Sequence, residues 1–559
     1  MNARRILAAS LLVLAAGAAA GPAADIPASP AGEAIYLQGA LSSGAPLEGI
    51  REGGGVTTQG AAAACVNCHQ RSGLGSREGE ISIPPITGEY LFHSRAHGPD
   101  APVLPYVESM HGNRDPYTDI TLARAIRAGL DSQGRPLGYL MPRYALGDED
   151  MAALIAYLKS LTVQHTPGVT DAVLHLATIF TPDADPVKRR GVIDVLQHFV
   201  TEQHASPLAP SPRMWASGRT EYSKSMYMAN LRWQLHVWDL TGPASRWQAQ
   251  LAKHLAEEPV FAVLSGLGGS NWAPVHEFCE RNGLPCLFPN VEVPVTADRD
   301  FYTLYFSKGV LLEAQLIAGR LRESGDRGPG GVVQQVYRAG DSGEPAAHAL
   351  AAALRGHGII VRDHALGPGT GGLGLAEALS GTGSSKTLVL WLRPSDIAAL
   401  GKVRPTPATV YMSGLMGGLE DSPLPASWRT HTFLAYPMDL PDRRGARLDY
   451  PLGWFSFRHI PIVAEPVQAD TYLACSLLVD VLHHDMADSL VRPYLIEQLQ
   501  RMVEHRLITG YYPHLSLATN QRFASKGGYI AHFADASSTR LVADSGWIVP
   551  EDGVIVAAN

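Results

Sequence analysis

The stretch Ala64-Cys65-Val66-Asn67-Cys68-His69 decides how the first part of this chain is read. Two thiols three positions apart, followed at once by an imidazole, are what covalent c-type haem attachment requires: the sulfurs form thioethers and the histidine is held beneath the iron. With 5 Cys and 21 His in 559 residues, chance supplies about 0.002 such matches. A thioredoxin-like CxxC belongs in a βαβ pattern, and a zinc ribbon needs a second CxxC or paired histidines. Neither follows here. The expectation is one covalent haem c on Cys65 and Cys68, with His69 as the proximal iron ligand.

Working outward from the motif, the flanking segments read as helices able to enclose a macrocycle. Residues Gly32 to Gly39 carry apolar side chains at helical spacing and end on a glycine. Residues Asp148 to Leu161 have three acids in the first turn and Lys159 in the last, which suits the helix dipole, and Leu154, Ile155 and Leu158 share one face. A middle helix is expected over Asp119 to Gly129, and Leu140-Met141-Pro142-Arg143-Tyr144 forms a loop between it and the final helix.

This order resembles the class I c-type cytochromes. The resemblance implies an all-α domain over residues 28–165, a final helix crossing the first, and Met141 as sixth iron ligand opposite His69. Met/His ligation raises the potential and suits electron transfer. Met110, His93, His97 and His111 are the rival ligands, in a segment (Glu80 to Tyr117) that compact family members lack. Pro84-Pro85-Ile86-Thr87-Gly88 looks like the loop that runs past the haem edge.

Residues 1–24 read as a secretory signal: Arg4 and Arg5, an apolar run from Ile6 to Ala15, then small residues around Ala18-Ala19-Ala20 and Gly21-Pro22-Ala23-Ala24. Export to the periplasm is expected, with no membrane span in the mature chain. The apolar run meets Pro22 too soon to serve as an anchor of ~20 residues. Composition agrees with a soluble globular chain: 46% hydrophobic and 18% charged residues, with mean hydropathy near zero. A net charge of −8 argues against a nucleic-acid partner.

From residue 166 the pattern changes. Short apolar strands alternate with helices of ten or more residues: Val173 to Phe180, Leu231 to Leu240, Val260 to Ser265 and Pro285 to Pro289, then, after a helix read over Tyr302 to Ser324, Gly331 to Tyr337, Ile359 to Arg362, Thr387 to Arg393 and Thr409 to Met412. Such alternation argues for βαβ units and parallel sheets covered on both faces. Two successive lobes of this kind resemble the type I periplasmic solute-binding proteins, the branched-chain amino acid and amide branch in particular, over residues 166–559. The fold class expected is therefore multidomain: an all-α cytochrome domain followed by a two-lobe α/β unit similar to the substrate-binding proteins of ABC transporters. An extended loop is expected over Pro441 to Gly453.

Ligands in open α/β sheets sit beyond the carboxyl ends of the strands. That rule selects Ser265 and Ser270, with Gly268 and Gly269 between them, and Tyr302, Tyr337, Asp341 and Tyr411 as candidate ligand residues. Tyr305, Ser413 and Tyr436 stand near strand ends as well. The acid that pairs an amino acid's ammonium in that branch has no evident counterpart, since residues 411–419 offer thioethers and glycines before Glu420. Cys279 and Cys286 are spaced to permit a local disulfide in an oxidising compartment, and Cys475 lies in an apolar run.

The function expected is a periplasmic mono-haem electron carrier rather than a catalyst. Its second domain binds a small ligand or docks a redox partner such as a dehydrogenase or a terminal oxidase chain. The alternative is a solute receptor or sensor with an accessory haem. No nucleophile elbow, P-loop or HExxH is present.

Overall fold

A computed structural model describes residues 29–51, 55–78, 81–93, 114–161, 166–170, 172–205, 231–295, 297, 300–323, 331–367, 369, 372–380, 387–403, 409–484, 486, 490–519, 521–550 and 555–557. The expected signal segment, Met110, His97 and His111 lie outside these residues. The described chain divides into two compact units: residues 29–69, 75–93 and 114–161 in the first, and residues 70–74 and those from 166 onward in the second.

In the first unit, α1 (Pro30–Gln38) opens on a Ser29 side-chain cap and ends at Gly39, whose left-handed φ of 62° lets the chain turn back. The short α2 (Val66–His69) and α3 (Gly88–Phe92) follow. Then come α4 (Asp119–Ala128), with a capping box between Thr118 and Thr121, and α5 (Asp148–Ser160). Helices α1 and α5 pack against each other at Gly32, where a Cβ would run into the carbonyl oxygen of Ala153. Beside that contact, Tyr36 and Tyr157 bring their rings to 5.2 Å.

The unit is not purely helical, which corrects the all-α expectation. Strands β1 (Glu48–Arg51), β2 (Val56–Gln59) and β5 (Arg143–Tyr144) form an antiparallel sheet in the order β2-β1-β5, and β3 (Ser76–Glu78) pairs with β4 (Ile81–Ile83). These strands are two to four residues long, too short to leave a period-2 signature in the sequence.

The second unit is built on two large sheets. Strands β6 (Val173–Phe180), β7 (Arg232–Asp239), β8 (Ala262–Leu264), β9 (Cys286–Leu287) and β10 (Thr303–Leu304) make an all-parallel sheet in the order β10-β9-β8-β6-β7. Helices α6 (Pro186–Ala205), α7 (Trp247–Glu257) and α8 (Ala273–Arg281) supply its crossovers. Helix α9 (Val310–Glu323) leads to the second sheet: β11 (Val332–Arg338), β12 (Ile360–Leu366), β13 (Thr387–Trp391), β14 (Thr409–Ser413), β15 (Thr432–Tyr436), β16 (Tyr529–Phe533) and β17 (Leu541–Ala543). Its order is β12-β11-β13-β14-β15-β16-β17, parallel up to β15 and antiparallel beyond. Strands β18 (Ile548–Pro550) and β19 (Ile555–Ala557) close as a hairpin.

Alternation along these strands shows why the second sheet needs cover on both faces. Leu388 and Leu390 of β13, with Met412 of β14, enter one core, while Val389, Trp391 and Tyr411 enter the other. Both cores are apolar, so the strands read as near-continuous hydrophobic runs.

Two local expectations are corrected. The helix read from Tyr302 begins only at Val310, after Gly309 at φ 58°. The residues before it form edge strand β10 because the Glu280 carboxylate accepts the backbone N–H groups of Phe301, Tyr302 and Thr303 at 2.7 to 3.1 Å. The stretch expected as a loop from Pro441 is a helix, Pro441–Phe457. Pro441 sits in its first turn, where a missing N–H costs nothing, and buried Arg444, Leu448 and Phe455 hold the helix despite Pro451 inside it. Among the described residues, no helix is long and apolar enough to cross a membrane.

Candidate haem site and strand-end cleft

The motif residues stand on one turn of helix. His69 N–H donates to the Cys65 carbonyl at 3.0 Å, closing one helical turn over the motif, with Cys65 just before α2 and Cys68 and His69 within it. The turn is pinned from outside: Asn67 Nδ2 donates to Ala61 O at 2.8 Å, and the buried Tyr144 hydroxyl donates to Ala63 O at 3.0 Å. No disulfide joins Cys65 to Cys68. Burial pushes the Cys65 thiol up to about 12, so it stays protonated near neutral pH.

His69 is 7% exposed, and its Nδ1 lies 3.0 Å from the carbonyl oxygen of Pro84. Burial pulls the ring down to about 4, against the opposing pull of that carbonyl, so the imidazole is neutral and carries a single proton. With the proton on Nδ1 and donated to Pro84, the Nε2 lone pair is left for a metal. Fixing a ligating histidine through its other nitrogen is the usual way a protein sets ring orientation. Pro84 lies in the stretch singled out in the sequence without a role; the structure supplies one. Gly75, at φ 77°, allows the approach, because a Cβ there would strike Ile83 O and crowd Pro84.

Met141 is half-buried on a turn in which its N–H donates to Gly138 O at 3.0 Å and its carbonyl accepts from Arg143 Nη1 at 2.7 Å. Tyr139 and Leu140 just before it are exposed. Of the rival ligands, His93 is exposed at the end of α3. The donor set therefore fits a covalently bound iron porphyrin: two thiols at the right spacing, a neutral imidazole with one nitrogen committed elsewhere, and a thioether on a braced loop.

In the second unit the candidate ligand residues separate. Tyr337 and Tyr411 are buried in the core of the second sheet. Tyr302 directly precedes β10, at the amino end of that strand. Ser265, at φ 53°, is fully buried, with its hydroxyl 3.1 Å from Thr471 Oγ1 and accepting from Asn290 Nδ2 at 3.0 Å. Tyr305 is buried with its hydroxyl 3.0 Å from His276 Nδ1, Ser413 is hydrogen-bonded to Glu313, and Tyr436 donates to Glu420 at 2.7 Å.

Ser270 and Asp341 lie in the turns beyond the carboxyl ends of β8 and β11, and both are engaged. Ser270 N–H donates to Asp183 Oδ2 at 3.0 Å, and Asp341 pairs with Arg393. Sequence reasoning missed Arg393, Glu292 and Asp183, although Arg393 falls two residues past a strand and the strand-end rule reaches it.

Cys279 and Cys286, expected as a possible bridge, are two buried free thiols. The hydrogen bond that the Cys286 thiol donates to Cys279, together with burial, raises Cys286 well above its ordinary value. His276, Glu280 and Asp300 bring metal-ligand atoms within 4.8 Å of one another. That cluster is already engaged: Glu280 caps three backbone N–H groups, and His276 faces Tyr305 and Asp300.

Residues 58–162 match the family model described as Cytochrome c. The haem-motif segment is cytochrome c-like. No curated protein matches the chain. Among solved structures, it is similar to a fatty acid ABC transporter substrate-binding protein from Thermomonospora curvata (15% identity, 69% of this chain and 95% of that one, TM-score 0.46). It is also similar to a possible leucine/isoleucine/valine-binding protein from Rhodopirellula baltica (13%, 67% and 97%, TM-score 0.49). A third is a branched chain amino acid ABC transporter from Thermus thermophilus with bound valine (10%, 68% and 97%, TM-score 0.49).

Proposed function

We propose that this protein is a periplasmic mono-haem c-type cytochrome that carries electrons between partner proteins, and that its α/β unit binds a small solute or docks a partner dehydrogenase. The observation that carries the reading is the His69–Pro84 contact behind a complete CxxCH turn, a geometry that a redox dithiol does not need. When bound, haem c supplies a one-electron couple whose potential its axial ligands set.

The chain's own residues do the rest. Cys65 and Cys68 anchor the group, Pro84 fixes the His69 ring and its tautomer, and the loop before Pro142 presents the Met141 thioether. Tyr139 and Leu140, exposed beside that loop, offer an apolar rim for a partner. Residues 1–24 direct the chain out of the cytoplasm, and the mature protein has its domain boundary near residue 166.

The test is expression in a host with working haem ligation. The expected product is coloured, keeps its haem through denaturing electrophoresis, and in the reduced form does not bind CO, because Met141 would hold the iron from the side away from His69. A colourless product with both motif thiols open to alkylation would sink the electron-carrier reading.

A further inference from the structure

Charged groups from both sheets of the second unit converge on a single guanidinium. Arg393 and Asp341 stand just beyond β13 and β11 of the second sheet. Glu292 follows β9 of the first sheet, and its carbonyl accepts from Val310 N–H at 3.0 Å. Arg393 Nη1 and Nη2 donate to Glu292 Oε1 and Oε2 at 2.8 and 2.6 Å. Its Nε and Nη2 donate to Asp341 Oδ2 and Oδ1 at 2.9 and 2.6 Å. Two bidentate carboxylate pairs engage all three nitrogens of one arginine. Lys188, in the first turn of α6, extends the network into the first lobe, with Nζ 3.8 Å from Glu292 Oε1.

The network is partly shielded, at 21% to 32% side-chain exposure for its three central members. Burial acts against ionisation of Glu292, but hydrogen bonds and charge from Arg393, with Lys188 behind, hold its carboxyl down at about 2. Burial also opposes the charge on Arg393, yet the two carboxylates raise its pKa above the ordinary value.

This edge is where open α/β sheets bind ligands. A second polar feature, the turn from Gly268 to Ser270, is also filled from within. Gly269 N–H donates to Thr181 Oγ1 at 3.1 Å and Ser270 N–H to Asp183 Oδ2 at 3.0 Å, and a Cβ at Gly269 would overlap the Asp183 carboxylate. The chain's own Asp183 carboxylate sits on the Ser270 N–H, and its own Arg393 sits on the two carboxylates.

We propose that Arg393 is a tethered stand-in for a solute cation: it latches the two lobes across the strand-end cleft with nothing bound, and a solute enters only by displacing it from Glu292 and Asp341. The ligand class that can do so is a small organic cation, an ammonium or guanidinium compound. The inference rests on reading this edge as the binding cleft, and the two ideas are separable. Exchange without solute reports the latch; titration reports the cleft.

The experiment is hydrogen–deuterium exchange on the full-length haem-loaded protein. In Arg393→Ala, amides at residues 290–295 and 338–344 should exchange about tenfold faster. Ethylguanidinium, which restores the deleted atoms, should return them to the wild-type rate at concentrations too low to displace Arg393 in the wild type. A folded Arg393→Ala protein with unaltered exchange, or with an increase that ethylguanidinium does not reverse, overturns the latch.

If Arg393→Ala does not fold, Asp341→Asn breaks one bidentate pair and Arg393→Lys replaces both with the point charge of one ammonium. Both should give a smaller rise, about threefold; no rise in either overturns the proposal. Calorimetric titration of the wild type with ethylguanidinium should show weak, saturable competition. Tight binding of an uncharged or purely anionic solute at this edge would keep the cleft and overturn the requirement for a cation.

Discussion

His69 Nδ1 and the Pro84 carbonyl oxygen lie 3.0 Å apart, and that one contact decides which ring nitrogen faces a metal. The approach depends on Gly75, which combines a left-handed backbone with no room for a Cβ against Ile83 O. Gly75→Ala should displace the β3–β4 hairpin or the Pro84 carbonyl and cost about 1–3 kcal/mol of stability in the first unit. Thermal unfolding of the haem-loaded protein checks the stability. A midpoint potential unchanged from wild type would show that the ring orientation does not depend on this glycine.

Met141 is the second ligand under test. Replacing it with histidine exchanges a thioether for an imidazole and should lower the midpoint potential by on the order of 100 mV, within the ~0.8 V that axial ligands span. Met141→Ala should open the iron, so the reduced protein would bind CO. Spectra and potentials that do not move would point to a ligand outside the described residues, such as Met110 or His111.

Glu313 sets an alkaline limit on the second unit. Full burial lifts its carboxyl to about 8, against hydrogen bonds from Ser413 and Leu415. Between its ordinary value of 4.5 and about 8, the folded state holds a proton that the unfolded chain has lost. Stability should therefore fall as pH rises through that window. Asp470 and Glu497, each raised by burial to about 7, act in the same direction. Glu313→Gln should flatten the slope without abolishing it, by several kcal/mol at most. Urea midpoints from pH 5 to 9 (about one unit apart) check this; parallel curves for the two proteins would show that Glu313 is ionised in the core.

Cys279 and Cys286 lie side by side as thiols, and an oxidising compartment should join them. Protein recovered from the periplasm and alkylated under denaturing conditions without reductant should gain label only at Cys475, with Cys65 and Cys68 consumed by haem. The bridge would add about 2 kcal/mol by constraining the unfolded chain. Label at Cys279 or Cys286 by mass spectrometry would show that the pair stays reduced.

What could be read from the sequence follows from how local each feature is. The CxxCH turn, the dipole-matched helix Asp148–Ser160 and the strand Val173–Phe180 carry their signals within a few residues. The features that escaped are fixed by distant partners. Strand β10 owes its form to the Glu280 carboxylate two elements away, and the helix from Pro441 is held by Arg444, which reaches Tyr436 and Glu420. Tyr337 and Tyr411 looked like cleft residues because they sit near strand ends, but strand alternation turns them into the core. Arg393 was passed over because its partners Glu292 and Asp341 are supplied by two different sheets.

The register that sets Tyr436 opposite Tyr529 also fixes an order of assembly. Strand β15 gains its outer neighbour only after the helices from Pro441, Glu465 and Arg492 have been made. In a chain that emerges amino end first, the growing sheet keeps a bare apolar edge through all of that interval. That interval, the one most open to misassociation with other chains, belongs to the second unit.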